Sequence, residues 1–282
     1  MANEPLLARG HGAVRARTRT RGQHQVAVSG LGPPLQRNTV GSLSTSDLEM
    51  NLEKKPQVPE TYDDLFKAGG AAGVFDLPYW RSPYYPMFRA VREALRNHKT
   101  QHVLEVGCGT GAMAHMLFDS MSLSYRGFDF SSVAIGKARA RTGRNAEFFV
   151  GDATAEATYA NVRYDSIICT EVLEHIEDDL LAISHWSPGS FCVCSVPNYD
   201  SDTHVRYFRT ADEVAKRYEK LIVVDAIETR RKPFLNDLSF ANWLRAVKWN
   251  RYRPDRLRWL MGHSDFDRDG GWFIFSGRRR SN

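Results

Sequence analysis

The most constraining feature of this 282-residue sequence is a glycine-rich turn between a short apolar strand and an apolar helix. Residues 102–106 read His-Val-Leu-Glu-Val, which predicts a buried strand, and residues 112–118 predict a helix. Between them, Gly107, Gly109 and Gly111 occupy every second position, so the chain can turn sharply and leave bare backbone beside the helix N-terminus. This order of elements predicts a site for a small polar ligand at the edge of a sheet.

The alternation of strand and helix patterns continues after this turn. Further strands are predicted at residues 125–130, 147–152, 164–169, 190–195 and 221–225, with helices among them at 131–140, 176–185 and 211–220. An apolar segment at 272–275 predicts one more strand, at the edge of the sheet. Strands separated by helices indicate a parallel sheet covered on both faces, so the predicted fold class is α/β.

Two basic segments flank the predicted α/β body. The chain carries 38 Lys and Arg against 33 Asp and Glu, but residues 1–30 hold five Arg against one Glu, and residues 231–260 hold eight basic side chains against two acidic ones. Residues 1–58 are polar, without apolar periodicity, and are predicted to be a disordered basic leader before a domain at 59–282. Three interpretations of the leader stay open: a mitochondrial transit peptide, a basic tail that binds RNA, or translated sequence upstream of a start at Met50.

Composition disfavours several other classes of protein. Hydrophobic residues make up 42% of the chain and charged residues 25%, as in ordinary globular proteins, and no uninterrupted apolar run reaches the roughly 20 residues of a membrane-spanning helix. A secretory signal peptide is not predicted, because its hydrophobic stretch is missing. Four cysteines without zinc-site spacing indicate a reducing compartment, so we expect a cytoplasmic protein, with a mitochondrial location as the alternative.

Two aspartates end the next predicted strands at positions suited to a nucleoside. Asp129 lies about 20 residues beyond Gly107, where α/β folds place a carboxylate for paired ribose hydroxyls. Asp152 ends the following strand and could accept a hydrogen bond from an adenine amine. The glycine spacing differs from that of dinucleotide-binding loops, and the Gly-Lys-Ser/Thr ending of a P-loop is missing, which disfavours phosphate binding.

Together these features resemble the class I S-adenosylmethionine-dependent methyltransferases. The resemblance covers about residues 62–277 and rests on the glycine turn with its leading Glu105, on Asp129, on Gly151-Asp152, and on the run Tyr-Asp-Ser-Ile-Ile-Cys-Thr-Glu-Val-Leu-Glu-His that ends at His175. It implies a Rossmann-like doubly wound sheet, mainly parallel with an antiparallel last strand, and a helical cap inserted at about 231–270. It also implies S-adenosylmethionine as the cofactor.

The resemblance further implies which residues hold that cofactor. In this family, the acidic residue after the second strand binds the ribose and the aspartate after the third strand meets the adenine amine, while the glycine turn and its leading glutamate lie beside the methionine part. The cofactor-binding residues are therefore expected to be Glu105, Gly107, Cys108, Gly109, Gly111, Asp129, Phe130, Asp152, Ala153 and Thr170.

Acidic and histidine side chains cluster after the fourth predicted strand. On a helix, Glu171, Glu174 and His175 would share one arc opposite the apolar stripe that packs on the sheet. With His204 they would form a site for Mg²⁺ or a similar ion, similar to the metal-binding arrangement of ubiquinone-biosynthesis O-methyltransferases and small-RNA 2′-O-methyltransferases. The favoured alternative is a solvated or cofactor-adjacent face without metal, which makes His204 or His175 the candidate general base.

The insertion at 231–270 combines basic and aromatic side chains. Phe240, Trp243, Leu244 and Val247 follow a helical step, which favours a cap over the acceptor cleft above contact with anionic lipid or, last, with nucleic acid. The aromatic segment at 79–86 is expected either to form a lid over the cleft or to dock as a helix on the sheet edge.

These patterns predict an O-methyltransferase that acts on a hydroxyl of a small aromatic, quinone or sugar-containing metabolite. Two alternatives stay open: an RNA methyltransferase with the same fold, and a non-catalytic cofactor-binding regulator or partner subunit. The sequence does not determine whether oxygen, nitrogen or sulfur is methylated, nor the oligomeric state.

Overall fold

The structure, a computed structural model, describes residues 59–143 and 146–281; the predicted leader at 1–58 lies outside them. The helices are α1 (Pro59–Lys67), α2 (Tyr85–His98), α3 (Ala112–Phe118), α4 (Ser132–Thr142), α5 (Glu156–Tyr159), α6 (Asp179–Ser184), α7 (Ala211–Tyr218), α8 (Phe240–Asn250), α9 (Pro254–Leu260) and α10 (Phe266–Asp269). Short 3-10 turns lie at Ala71–Gly73, Tyr79–Arg81 and Leu173–His175. The strands are β1 (His102–Val106), β2 (Ser124–Asp129), β3 (Glu147–Val150), β4 (Ser166–Cys169), β5 (Phe191–Pro197), β6 (Ile222–Arg231) and β7 (Gly271–Arg279).

The described strands form one seven-stranded sheet in the order β3-β2-β1-β4-β5-β7-β6. Strands β1 to β5 pair in parallel, whereas β7 runs antiparallel to both β5 and β6. This confirms the predicted α/β sheet with an antiparallel last strand. The expectation that the strand at 272–275 lies at the edge of the sheet is wrong, because β7 pairs with β5 on one side and with β6 on the other, and β6 forms the edge. Strands β6 and β7 extend well beyond the predicted segments, because they pair with each other from Ile222↔Arg279 to Arg231↔Gly271. Their length follows from ladder hydrogen bonds that an apolar pattern does not reveal.

Apolar side chains are buried on both faces of the sheet. On one face Val91 and Leu95 of α2 pack with Leu117 of α3, and all three are fully buried. On the other face Trp186 and Tyr218 pack against the sheet and are also buried. Each such side chain contributes about 1.5–3 kcal/mol to stability. The carboxyl ends of the parallel strands therefore form a rigid platform.

The segment between β4 and α6 differs from its predicted conformation. The helix expected from residue 176 begins at Asp179, residues 173–175 form a 3-10 turn, and Glu171 has a left-handed backbone with φ of 57°. The expectation that Glu171, Glu174 and His175 share one helical arc is therefore wrong. The physical reason is that the Glu171 N–H bonds to the Ser195 hydroxyl at 3.0 Å, which replaces a helical hydrogen bond.

The insertion between β6 and β7 is helical, as predicted, and contains α8, α9 and α10. Its connection to the body is fixed by an ion pair between Arg81 and Asp237, 2.5 Å apart, and by a hydrogen bond from the Leu238 N–H to the Arg81 carbonyl. Among the described residues, no helix is both long and apolar enough to cross a membrane.

Candidate active site

One large cavity, of about 890 Å³, opens at the carboxyl ends of the parallel strands. Small-ligand pockets span roughly 300–1,000 Å³, so this cavity has room for a nucleoside and a second molecule. Most of the predicted site residues line it: Glu105, Gly107, Cys108, Gly109, Asp129, Phe130, Asp152, Ala153, Thr170, Glu171, His175 and His204. Gly111 and Glu174 lie behind this lining.

The glycine turn presents bare backbone to the cavity. Gly107 has φ of 67°, and a Cβ there would lie 2.3 Å from Cγ2 of Val172, so only glycine fits. Gly109 also has a left-handed backbone, and its N–H donates to the carboxylate of Asp129. Gly111 instead packs against Ala138 of α4, where a Cβ would approach to 3.1 Å. The turn thus brings the strand, the helix behind it and a carboxylate into close contact.

Asp129 is fixed by the backbone at the end of β2. Its two carboxylate oxygens accept hydrogen bonds from the N–H groups of Gly109, at 3.0 Å, and Ser131, at 2.9 Å. Burial raises the pKa of Asp129 to about 6, although these hydrogen bonds act in the opposite direction. At neutral pH the carboxylate is therefore ionised but poorly hydrated, a state that favours hydroxyl donors on a ligand.

Glu105 lies on β1 beneath the glycine turn. It is buried, and burial raises its pKa to about 8. The hydroxyl of Tyr125 donates to its carboxyl group. Glu105 is therefore mostly protonated at neutral pH, and a cationic group beside it would favour the ionised form.

Asp152 lies at the exposed rim of the cavity, after β3. The N–H and the hydroxyl of Thr154 both donate to its Oδ1 atom, at 2.8 Å each, which fixes the orientation of the carboxylate. Ala153 and Phe130 are half-buried nearby in the cavity wall, and Thr170 at the end of β4 is buried.

Helix α1 forms a wall of the cavity that sequence reasoning did not assign to the site. The rings of Tyr62 and Phe66 line the cavity, and the Tyr62 ring lies 4.9 Å from that of Phe130 and 6.2 Å from that of His175. Asp63 accepts a hydrogen bond from the hydroxyl of Ser131, the N-cap of α4. The available sequence signal was the four-residue spacing of Tyr62 and Phe66, which places both rings on one helical face.

Two carboxyl groups lie together after β4. Glu174 is fully buried, and neither of its carboxyl oxygens has a hydrogen-bond partner among the described residues. Glu171 accepts a hydrogen bond from the Ser195 hydroxyl at 3.3 Å. Burial raises the pKa of Glu171 to about 7, and burial together with the charge of Glu171 raises the pKa of Glu174 well above its usual range. The pair therefore retains a proton near neutral pH.

Two imidazoles border these acids, with ring centroids 5.0 Å apart. Nδ1 of His175 lies 2.8 Å from the carbonyl of Thr203, and Nδ1 of His204 lies 3.2 Å from that of Tyr199. Because a carbonyl only accepts, each Nδ1 carries the proton and each Nε2 holds a lone pair. Burial lowers the pKa of His175 to about 4, so this imidazole is a weak base.

Three of the four expected metal ligands lie close together. Potential ligand atoms of Glu174, His175 and His204 all lie within 4.8 Å of one another, but Glu171 does not belong to this group. Two imidazoles and a single carboxyl group suit Mg²⁺ poorly, because Mg²⁺ prefers oxygen ligands, whereas imidazole suits transition metals. This donor set does not fit the predicted Mg²⁺ site.

Arg206 holds the loop that carries these groups. Its guanidinium donates to the carbonyls of Leu173, Ile176 and Glu177, and it lies 3.4 Å from the buried carboxylate of Asp179. Those carbonyls would bond within the helix if the helix began earlier. Arg206 therefore positions the acid and imidazole groups without lining the cavity itself.

The aromatic segment at 79–86 contributes a wall of the cavity and also begins α2. Tyr84 lines the cavity, whereas Tyr79 turns away and donates to Asp119 at 2.7 Å. On the other side Tyr199 lines the cavity, and the ammonium of Lys232 lies 4.5 Å from its ring centroid. Burial raises the pKa of Tyr84 and of Tyr199, so both phenols keep their protons. Lys232 is the insertion's contribution to the lining.

A family model described as a methyltransferase domain matches residues 79–268, about two thirds of the chain. A protein of Pyrenophora dematioidea named O-methyltransferase is 30% identical over an alignment of 139 residues, and the match covers 42% of this chain and 51% of that protein. The chain therefore spans about half the length of the curated relative that it matches.

Solved structures share the fold. The [4+2]-cyclase SpnF has a TM-score of 0.54 and 18% identity, covering 80% of this chain and 97% of that chain. A methyltransferase from Geobacter sulfurreducens, in complex with S-adenosylhomocysteine, has a TM-score of 0.51 and 16% identity, covering 80% and 100%. At these identities the two structures show the fold alone. The match to the family model, over most of the described residues, shows that this chain belongs to the methyltransferase-domain family within the class I S-adenosylmethionine-dependent methyltransferases.

Proposed function

We propose that this enzyme methylates a hydroxyl group of a small metabolite that contains an aromatic, quinone or sugar ring. The observation that carries the proposal is one cavity lined both by Asp129, with its carboxylate fixed by backbone N–H groups, and by His204, with its Nε2 lone pair fixed by the Tyr199 carbonyl. The name of the Pyrenophora relative agrees with an oxygen acceptor.

The residues around the glycine turn fit S-adenosylmethionine. The carboxylate of Asp129 is proposed to accept from the two ribose hydroxyls, and that of Asp152 from the adenine amine. Phe130 and Ala153 offer apolar surface for the base, while the backbone of the glycine turn, Cys108, Thr170 and Glu105 lie beside the methionine part. When bound, the cofactor supplies a methyl group on a sulfonium, which is already activated for transfer.

The acceptor is proposed to lie between the aromatic walls and the histidines. Tyr62, Tyr84 and Tyr199 line the cavity with large rings and protonated hydroxyls, which can pack against a planar ring and donate to its oxygen atoms. Lys232, held over the Tyr199 ring, adds a donor at the same wall. These features favour an aromatic or quinone acceptor over an aliphatic one.

His204 is proposed as the general base. Transfer of the methyl group from the sulfonium to the acceptor oxygen would leave a neutral thioether, and Nε2 of His204 would take the proton that the acceptor hydroxyl loses. His175 is a weak base, because burial lowers its pKa to about 4. The acid pair at Glu171 and Glu174 can stabilise the resulting imidazolium. Apolar walls and α1 exclude water, so the residues act mainly by alignment.

The test is product formation, followed by mass spectrometry, with isotope-labelled S-adenosylmethionine and a panel of catechols, hydroquinones, phenols and glycosides. We expect labelled methyl ethers from a catechol or hydroquinone, undiminished by EDTA. The His204→Gln variant should lose this product while binding S-adenosylhomocysteine as tightly as the wild-type enzyme. The exposed Lys220→Gln variant is the matched control and should retain full turnover.

Three outcomes would contradict the proposal. If the labelled methyl group were found only on nitrogen or sulfur atoms of the products, the acceptor would not be a hydroxyl group. Loss of turnover in EDTA, restored by one added metal ion, would assign the Glu174 cluster to metal binding. Cofactor affinity without turnover on any acceptor, unchanged in His204→Gln, would favour a binding subunit.

A further inference from the structure

Helices α8 and α9 form a hairpin with an outward face that combines large apolar side chains with positive charge. Along one side of α8 and in the two residues after it, the following side chains are all exposed and none is acidic: Phe240, Leu244, Arg245, Lys248, Trp249, Arg251 and Tyr252. Arg253, Arg256, Arg258 and Met261 extend the same exposed character through α9. We call these eleven residues the hairpin surface.

The apolar side chains of the hairpin surface are unusually exposed. The exposed fraction is 72% for Phe240, 82% for Trp249, 83% for Tyr252 and 62% for Met261, while Leu244 is half-exposed. Single exposed apolar side chains are common, but several large ones close together on one short segment indicate an interaction surface. The sequence-based expectation that Phe240 and Leu244 would be buried against the acceptor cleft is wrong.

The inner side chains of the hairpin hold it together, and the outer ones stay exposed, although Phe240 also stacks on Trp243. The indole N–H of Trp243 donates to the carbonyl of Leu260, and that of Trp259 donates to the carbonyl of Lys232. The ring of Phe234 packs edge-on against Trp259, with centroids 5.1 Å apart. These contacts join α8 to α9 and α9 to residue 232.

The excess of positive charge distinguishes the hairpin surface from the surface of an ordinary solvated helix. Six exposed Lys and Arg side chains lie on it, and the only acid that the hairpin sequence adds is Asp255. A surface of this sign attracts anionic partners, and its density of positive charge near apolar side chains is typical of helices that lie in the headgroup region of a membrane.

We infer that the hairpin surface docks this enzyme on a bilayer that contains anionic lipid. Leu244 and Met261 decide between lipid and nucleic acid: aromatic rings can stack on bases, but an exposed Leu and Met gain nothing from stacking and much from entering the acyl region. Trp249 and Tyr252 suit the interfacial belt. Lys and Arg then meet the lipid phosphates.

The hairpin lies next to the principal cavity, so docking of the hairpin on a membrane would also affect where the acceptor side of that cavity lies. Lys232 lines both the principal cavity and a second cavity of about 440 Å³ that the hairpin encloses with residues 231–264. A docked hairpin would therefore place the acceptor side of the enzyme near the membrane surface. This agrees with, and does not depend on, the proposed quinone or aromatic acceptor.

The test is flotation of the full chain with vesicles of phosphatidylcholine alone or with about 30% phosphatidylserine, at physiological salt. The charge variant is Arg245→Gln, Lys248→Gln, Arg251→Gln, and the matched control removes the same charge elsewhere, at Arg89, Lys216 and Lys220, which are exposed. Each basic side chain contributes roughly fivefold to partitioning, so the charge variant should lose on the order of 100-fold in partition coefficient. The control should lose much less. The basic leader is present in every protein compared.

Insertion of apolar side chains is tested separately. Tryptophan fluorescence should shift to the blue on addition of anionic vesicles, and the shift should be largely lost in Trp249→Ser, whose circular dichroism and melting temperature should match those of the wild type because Trp249 is exposed. Leu244→Ser with Met261→Ser should also weaken partitioning.

Equal loss in the charge variant and its control, or absence of flotation with anionic vesicles, would overturn the inference. So would a single-stranded RNA that binds at physiological salt and loses affinity in the hairpin variants alone, which would assign the surface to nucleic acid.

Discussion

Asp129→Asn is the substitution that separates the proposed cofactor site from a merely structural turn. The carboxylate accepts N–H bonds from Gly109 at 3.0 Å and Ser131 at 2.9 Å. A hydrogen bond to a charged acceptor contributes about 1.5–3 kcal/mol against about 0.5–1.5 kcal/mol for a neutral one. The loss is therefore about 1–1.5 kcal/mol for each ribose hydroxyl and about 2–3 kcal/mol for the two together, so S-adenosylhomocysteine should bind roughly 30- to 150-fold more weakly.

The pH dependence of binding gives a second, independent readout. The pKa of Asp129 is raised to about 6, and hydroxyl donors favour the ionised form. Binding to the wild-type enzyme should therefore weaken about tenfold for each pH unit below 6, because the ligand must first displace a proton. The Asn variant should lack this dependence. Isothermal titration calorimetry with S-adenosylhomocysteine from pH 5 to 8 measures both effects.

The matched control is Asp212→Asn, an exposed residue in the first turn of α7, which should bind like the wild-type protein. Because Asn presents an amide N–H₂ to one of the two backbone donors, the melting temperature of Asp129→Asn should also fall. An Asn variant that binds within threefold of wild type, with the same pH profile, would refute the assignment of Asp129 to the ribose.

Three further predictions test the remaining groups. His204→Gln should lower kcat by about 10²- to 10⁴-fold with little change in cofactor affinity, and single-turnover kinetics would reject the role if kcat stayed within fivefold of wild type. The pKa of Glu105 is raised to about 8, so its contribution to stability is complete below about pH 4.5 and is lost as pH rises through 8. The ligand-free protein should therefore melt at a lower temperature at pH 9 than at pH 6, and Glu105→Gln should reduce that difference; an unchanged difference would contradict the raised pKa. Arg206→Ala should free the loop at residues 171–177, raising KM for the acceptor and lowering kcat more than it weakens S-adenosylhomocysteine binding, whereas Arg206→Lys should restore part of the activity; equal loss of both would instead indicate global unfolding.

Much of the fold followed from short local patterns. The apolar strand at β1, the glycine turn and the helix α3 were predicted with correct bounds, because burial on both faces of a parallel strand demands a continuous apolar run. Strand β6 was underestimated, because most of its side chains are exposed and its hydrogen bonds to β7 come from far along the chain. A local apolar pattern cannot reveal a pairing strand that lies so far away in the sequence.

The sequence likewise predicted one part of the candidate site and missed another part. Asp129 and the glycines could be named because their positions follow from the end of a strand and from backbone conformation, which are local properties. The pattern at 171–177 predicted a helix, yet Ser195 and Arg206 take its backbone groups and give Glu171 a left-handed conformation. Competition from distant hydrogen-bonding partners overrode a local preference there.

The sequence alone predicted which residues end the parallel strands and where the turn requires glycine, and from these features it predicted a nucleoside-sized ligand at that edge of the sheet. Only the tertiary structure showed that α1 supplies aromatic walls and that two buried carboxyl groups lie beside two oriented imidazoles. It also showed that the large apolar side chains of the hairpin surface are exposed. The physical reason is that burial sets these properties, and burial depends on segments that are far apart in the chain and meet only in the folded protein.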